Sequence, residues 1–125
     1  MNKLILSLMA AGLITTGCAS MYPATMPASA KDGALVAASG MSLYVFDKDM
    51  ADSGKSACNG KCAEIWPPFF AMDGDKAHGD FAVITRDDGK RQWSYKGKPL
   101  YFWSKDQKPG DRTGDGFNGL WKLAR

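Results

Sequence analysis

The sequence predicts a mainly β fold: a small antiparallel domain of two pseudo-symmetric repeats, with at most one short helix near residues 61–66. Three observations carry this expectation. Short apolar runs alternate with Gly, Asp and Ser turn signals, as strands do. A pattern of aromatic and acidic residues recurs at an offset of 57 residues. Only one stretch has helical character, and the pair Pro67-Pro68 stops it after at most about two turns.

The N-terminus stands apart from this domain. Met1-Asn2-Lys3 begins positively, and residues 4–14 are apolar except for Ser7. That run is too short to span roughly 30 Å of hydrocarbon, but it has the length and flanks of a signal-peptide core. Gly17-Cys18 then fits a lipobox, in which a small residue admits the peptidase and the thiol is alkylated with diacylglycerol. Thr15 stands where leucine is the stronger choice. The competing reading, an ordinary signal cut near Ala28-Ser29-Ala30, places the cut far beyond the apolar run. Residues 1–17 are therefore expected to be a lipoprotein signal peptide, with Cys18 carrying enough acyl chain for stable anchoring.

The cysteine count fits the same expectation. Of three cysteines, lipidation of Cys18 leaves the pair Cys58 and Cys62, able to close as a disulfide in an oxidising compartment. Expected localisation is exported and membrane-anchored, facing the periplasm or cell exterior. In a Gram-negative host Ala19 favours the outer membrane, because the aspartate associated with inner-membrane retention is missing there. The chain's net charge is +3. Without Lys3, 15 basic residues face 13 acidic ones, interleaved, so nucleic acid is not an expected partner.

Residues 18–32, rich in Ala, Ser and Pro, are expected to be the lipidated cysteine and a flexible tether. The β-rich domain is expected over 33–125, with repeats at about 33–70 and 81–124. Its candidate strands are 34–37, 42–46, 81–85, 91–95 and 99–103. Asp87-Asp88-Gly89 between two β-rich runs is a strong hairpin signal.

Gly40-Met-Ser-Leu43-Tyr44-Val-Phe46-Asp-Lys48-Asp49 matches Gly97-Lys-Pro-Leu100-Tyr101-Phe-Trp103-Ser-Lys105-Asp106. Both read Gly-x-x-Leu-Tyr-x-aromatic-x-Lys-Asp, and each leads to a Gly-containing loop ending in Trp66 or Trp121. Five identical positions and one shared aromatic indicate an internal duplication. In these residues the chain resembles the predicted bacterial lipoproteins called the secreted repeat of unknown function, which share a Tyr-x-(Phe/Trp/Tyr)-x-x-Asp motif. Tyr44, Phe46 and Asp49 match one copy; Tyr101, Trp103 and Asp106 match the other. The resemblance extends to Cys58-Asn-Gly-Lys-Cys62-Ala-Glu-Ile-Trp66-Pro67-Pro68, to the run from Gln92 to Tyr101, and to Gly110-Asp111-Arg-Thr-Gly114. It implies fold and address and no particular chemistry.

Each motif admits a structural and a chemical reading. On a strand, Tyr44 and Phe46 share one face, as do Tyr101 and Trp103, while Leu43/Val45 and Leu100/Phe102 occupy the other. Covered on both faces, the aromatics are core; left open, they are a platform for a glycan, peptide or flat cofactor. Asp49 and Asp106 fall at strand ends, where a carboxylate binds backbone N–H groups of its own turn. Brought together, they would be paired carboxylates for acid–base work.

Cys58 and Cys62 read first as a structural disulfide closing a loop of five residues, contributing roughly 2 kcal/mol. A redox pair or a thiolate metal site are the alternatives, with Met41, Met50 and Met72 as soft ligands for copper and His78 as the sole histidine. Asp73-Gly-Asp75 and Asp111-x-x-x-Asp115-Gly116 lack the spacing of a calcium loop. No nucleophile–histidine arrangement or phosphate-cradling loop is present. Neither a cofactor nor a metal is expected, and enzymatic activity is disfavoured. The leading expectation is a lipid-anchored envelope protein that binds or builds, with an envelope protein, a glycan or a small molecule as its unidentified partner. The competing one is a redox or copper-handling accessory of the periplasm.

Overall fold

The computed structural model describes residues 26–125. The expected signal peptide, Cys18 and most of the expected tether lie outside the described residues. The chain is mainly β, with seven short strands, one α-helix of five residues and a 3-10 turn at Phe117–Gly119 among the described residues. The strands are β1 (Ala28–Lys31), β2 (Ala34–Ala37), β3 (Tyr44–Phe46), β4 (Phe81–Thr85), β5 (Arg91–Tyr95), β6 (Lys98–Pro99) and β7 (Trp121–Leu123). Helix α1 (Lys61–Ile65) lies between β3 and β4. All strand pairs are antiparallel: β1 with β2, β3 with β7, and β4-β5-β6 as a three-stranded sheet.

One boundary is corrected. The tether expected through residue 32 ends sooner, because Ala28–Lys31 forms a strand against β2, with Lys31 paired to Ala34. Asp32 and Gly33 both take positive φ, 50° and 82°. That is the two-residue turn whose twist suits a hairpin, and Asp-Gly favours it. The run Ala-Ser-Ala-Lys has little β-propensity of its own; the turn and its partner make it a strand.

The expected hairpin at 87–89 forms, closed by Arg86 N–H to Lys90 O at 2.8 Å, and pairs Thr85 with Arg91. The run expected as a strand over 99–103 is only partly one. After β6 it continues as isolated bridges, Tyr101 pairing with both Tyr44 and Pro68. Strand β7 begins at Trp121, a residue expected only as a loop end.

The two-sided pattern of the motif strands determines where the core lies. Tyr44, Phe46, Tyr101 and Trp103 fall in one buried cluster with Trp66, Trp121, Cys58 and Leu123. Leu43 and Leu100 fall in a second, with Phe81, Trp93 and Leu35, and Val45 and Phe102 pack against it. Alternation along a strand sends neighbours to opposite faces, so each motif feeds both cores. Between them, Tyr44 N–H donates to Tyr101 O at 2.8 Å and Tyr101 N–H to Tyr44 O at 2.9 Å. This reciprocal pair marks the pseudo-two-fold axis relating the repeats.

Candidate functional site: the crossed tyrosine–aspartate pairs

The duplicated motif residues meet at that axis and exchange partners. Tyr44 donates its hydroxyl hydrogen to Asp106 Oδ2 at 2.7 Å, and Tyr101 donates to Asp49 Oδ2 at 2.6 Å. Each tyrosine answers the aspartate of the other repeat. The second carboxylate oxygen holds the following loop: Asp49 Oδ1 accepts Ala57 N–H at 2.6 Å, and Asp106 Oδ1 accepts Thr113 N–H and its hydroxyl at 3.0 and 2.7 Å. Both tyrosines are fully buried, and the aspartates are 3% and 8% exposed. Burial, with the carboxylate beside it, pushes both phenols well above their ordinary pKa. Burial also raises the Asp49 carboxyl, against the pull of its hydrogen bonds and of Lys98 and Arg86.

The aromatics follow the same symmetry. Phe46 stacks on Trp121 at 4.2 Å, Trp121 on Trp66 at 3.9 Å, and Trp66 on Trp103 at 4.0 Å. Tyr44 meets Trp66 edge-on and Tyr101 meets Trp121 edge-on, at 5.3 and 5.1 Å. Such pairs contribute about 0.5–1.5 kcal/mol each beyond the area they bury. Phe46 and Trp103 are 7% and 4% exposed. They form core and no platform.

The motif glycines complete the exchange. Gly97 receives the loop of the first repeat, with Asp52 N–H donating to Gly97 O at 2.9 Å. Gly40 receives that of the second, through Gly110 N–H to Gly40 O at 3.3 Å. A Cβ on Gly40 would sit 2.9 Å from Pro109 Cβ, and one on Gly97 would strike Asp52.

On the first-repeat side the Tyr101–Asp49 pair joins a buried polar network centred on Arg86, which the sequence does not signal. Arg86, 4% exposed, donates from Nη1 to Ser56 Oγ and Gln92 Oε1, and from Nη2 to Cys58 O and Asn59 Oδ1. Its Nε has no partner among the described residues. Ser56 Oγ lies 2.6 Å from the Tyr101 hydroxyl. Since that hydroxyl donates to Asp49, Ser56 donates to it, and the guanidinium faces Asp49 across two hydroxyls. A buried charge needs such a partner. In sequence, Arg86 beside Asp87-Asp88-Gly89 looks like a solvated turn residue, and nothing there signals burial.

Cys58 and Cys62 are joined by a disulfide, Cα atoms 5.2 Å apart. Cys58 is fully buried in the aromatic cluster, and Cys62 packs against that cluster, partly exposed. Three of the four carboxylates weighed for calcium are spent on backbone: Asp75 on Met72 N–H, Asp111 on Gln107 and Lys108 N–H, Asp115 on Leu123 N–H. Met50 and Met72 are exposed at 75% and 73%. Among the described residues, no three His, Cys, Asp or Glu side chains gather as metal ligands. Asp49 and Asp106 do not converge on a shared space; each faces a tyrosine.

A family model described as the secreted repeat of unknown function matches the chain twice, over residues 26–70 and 82–125. The chain belongs to this family. The two matches divide the secreted repeat as the crossed pairs do, Tyr44 and Asp49 in one, Tyr101 and Asp106 in the other. The first match begins before β1, in agreement with the earlier start of the fold. No curated protein and no solved structure matches the chain. Among the described residues, no helix is long and apolar enough to cross a membrane.

Proposed function

We propose that this chain is exported and lipid-anchored through Cys18, and serves in the bacterial cell envelope as a non-catalytic binding or structural module. One observation carries the non-catalytic part. The family's Tyr and Asp side chains are buried and hydrogen-bonded across the repeats, so the motif holds the fold together and presents no reactive group to a substrate. The description of the family as secreted supports export. The apolar run before Gly17-Cys18 supports the anchor, and a lipid on Cys18 makes a membrane the first partner.

The experiment is Cys18→Ser in a native host. Lipid labelling should be lost and the protein released from the membrane fraction. Fractionation indistinguishable from wild type would refute the anchor.

The second reading, a redox accessory, draws support from the partial exposure of Cys62. Titration of thiols in defined glutathione buffers separates the two. An inert disulfide of very low potential supports the structural reading, whereas a reversible couple near the glutathione potential supports the redox one.

A further inference from the structure

The two repeats make the same turn after the motif aspartate but finish it differently. In the second repeat, Asp111 N–H donates to Lys108 O at 3.1 Å, Gly110 takes φ 92°, and Gly110 N–H seats the turn on Gly40. In the first, Ser53 N–H donates to Met50 O at 3.2 Å, Asp52 takes φ 61°, and Asp52 N–H seats the turn on Gly97. Turns 108–111 and 50–53 are therefore counterparts, and Ser53 stands where Asp111 stands.

Their last residues part company. Asp111 folds its carboxylate back so that Oδ2 accepts the N–H of Gln107 at 2.8 Å and of Lys108 at 3.2 Å. The Gln107 N–H is the main cause that holds the Asp111 carboxyl below its ordinary range. Ser53 carries only a hydroxyl, which accepts Lys55 N–H at 3.3 Å and donates to Lys55 O at 3.5 Å. Met50 N–H, the counterpart of Lys108 N–H, has no protein acceptor among the described residues. A cavity of about 300 Å³ opens at this place, lined by Lys48, Asp49, Met50, Ser53, Lys55, Ser56 and Ala57.

We propose that this cavity binds a small carboxylate, which takes in the first repeat the place that Asp111 fills with its own side chain in the second. The donors suit an anion: Met50 N–H, the Ser53 hydroxyl, whose bond to Lys55 O is long at 3.5 Å, and two cationic residues of the lining, Lys48 and Lys55. Backbone N–H groups of a turn make anion-binding concavities, and nearby cations strengthen them. Among the described residues the one ion pair, Lys122–Asp47, engages neither lysine. Asp49 also lines the cavity, but its oxygens are held by Ala57 N–H and the Tyr101 hydroxyl, with Lys98 and Arg86 on its inner side. Met50 and Ala57 add apolar residues to the lining, which suit a short aliphatic body. This deepens the binding arm of the reading above, and its failure would leave the anchor and the structural arm standing.

The test uses the full chain, ¹⁵N-labelled in detergent micelles, titrated with sodium butyrate against sodium chloride at equal ionic strength. The amides of Met50 and Ser53 should shift saturably. Ser53→Asp, which supplies an internal carboxylate, should weaken butyrate binding by roughly tenfold or more, and Lys55→Gln at an exposed position should weaken it several-fold. If Ser53→Asp does not fold, Lys55→Gln carries the test alone. No saturable shift, or undiminished binding in the folded variants, would overturn the site. Sodium phosphate binding as tightly as butyrate would overturn its assignment to carboxylates.

Discussion

Tyr101 donates its phenolic hydrogen to Asp49 Oδ2 at 2.6 Å, across 52 residues of sequence. The bond joins two groups that are each expensive to leave buried and unpaired. Removing the phenol oxygen strands a carboxylate with one remaining donor, so Tyr101→Phe should destabilise the protein by about 1–3 kcal/mol. Asp49→Ala should cost more, because Ala57 N–H and the Tyr101 hydroxyl both lose their acceptor and the buried Arg86 loses the carboxylate it faces. A double-mutant cycle of Tyr101→Phe with Asp49→Asn, followed by denaturant unfolding, reads the coupling directly. Additive effects would show that the bond does not hold the repeats together.

The raised pKa of Asp49 has a definite sign in stability. Its folded-state value lies above the ordinary 3.8 because burial disfavours the charged form. The folded chain therefore holds this proton more tightly than the unfolded chain does. The stabilisation is complete below pH 3.8 and is lost as pH rises through the raised value. Asp111 acts in the opposite sense, its lowered carboxyl adding stability above pH 3.8 that is lost on acidification. The difference in unfolding free energy between wild type and Asp49→Asn should thus fall as pH rises from 3.8, while the difference for Asp111→Asn should rise. Parallel profiles for the two variants would refute this assignment.

At the alkaline end the tyrosines dominate. Tyr44 and Tyr101 are pushed well above the ordinary value of 10.0 by burial. Their contribution is present below pH 10.0 and is lost as the unfolded chain begins to ionise there. Absorbance at phenolate wavelengths should show two of the four tyrosines ionising only with global unfolding. Smooth ionisation of all four while near-ultraviolet circular dichroism stays native would contradict the burial.

Much of this arrangement was legible in the sequence, for physical reasons. Period-two alternation placed Tyr44 and Phe46 opposite Leu43 and Val45, and the two cores follow it. The offset of 57 residues announced two repeats, and Asp-Gly with β-rich flanks announced the hairpin at 87–89. What stayed hidden depends on partners distant in sequence. The aspartates were expected to serve their own turns, yet their second bond reaches a tyrosine in the other repeat, which no local spacing encodes. Arg86 carries no mark of burial because its acceptors are a backbone carbonyl, two side-chain amides and a hydroxyl, none of them a carboxylate. Strand β1 was lost in a composition that resembles a linker, although Asp32-Gly33 is the same dipeptide signal that was recognised at 88–89.

The glycines that open each motif make the last prediction, and it concerns close approach. Gly40 and Gly97 have φ near 88° and 82°, and each faces a loop of the opposite repeat at contact distance. Alanine at either site meets two penalties, a left-handed backbone and a methyl pressed into a neighbour. The neighbours differ, however. At Gly40 the obstacle is the Pro109 ring, which is stiff; at Gly97 it includes Asp52 N, backbone that holds a hydrogen bond to Gly97 O. Displacing Asp52 therefore breaks a 2.9 Å bond directly and shifts the turn at 50–53. Displacing the Pro109 ring strains packing and only pulls on the longer 3.3 Å bond of the adjacent Gly110 N–H to Gly40 O. Gly97→Ala should cost more than Gly40→Ala, each at least about 1 kcal/mol. Chemical denaturation of the two variants ranks them. Equal and small losses would show that the loops yield freely, and that the repeats are held by the tyrosine–aspartate pairs and the tryptophan stack without help from the glycines.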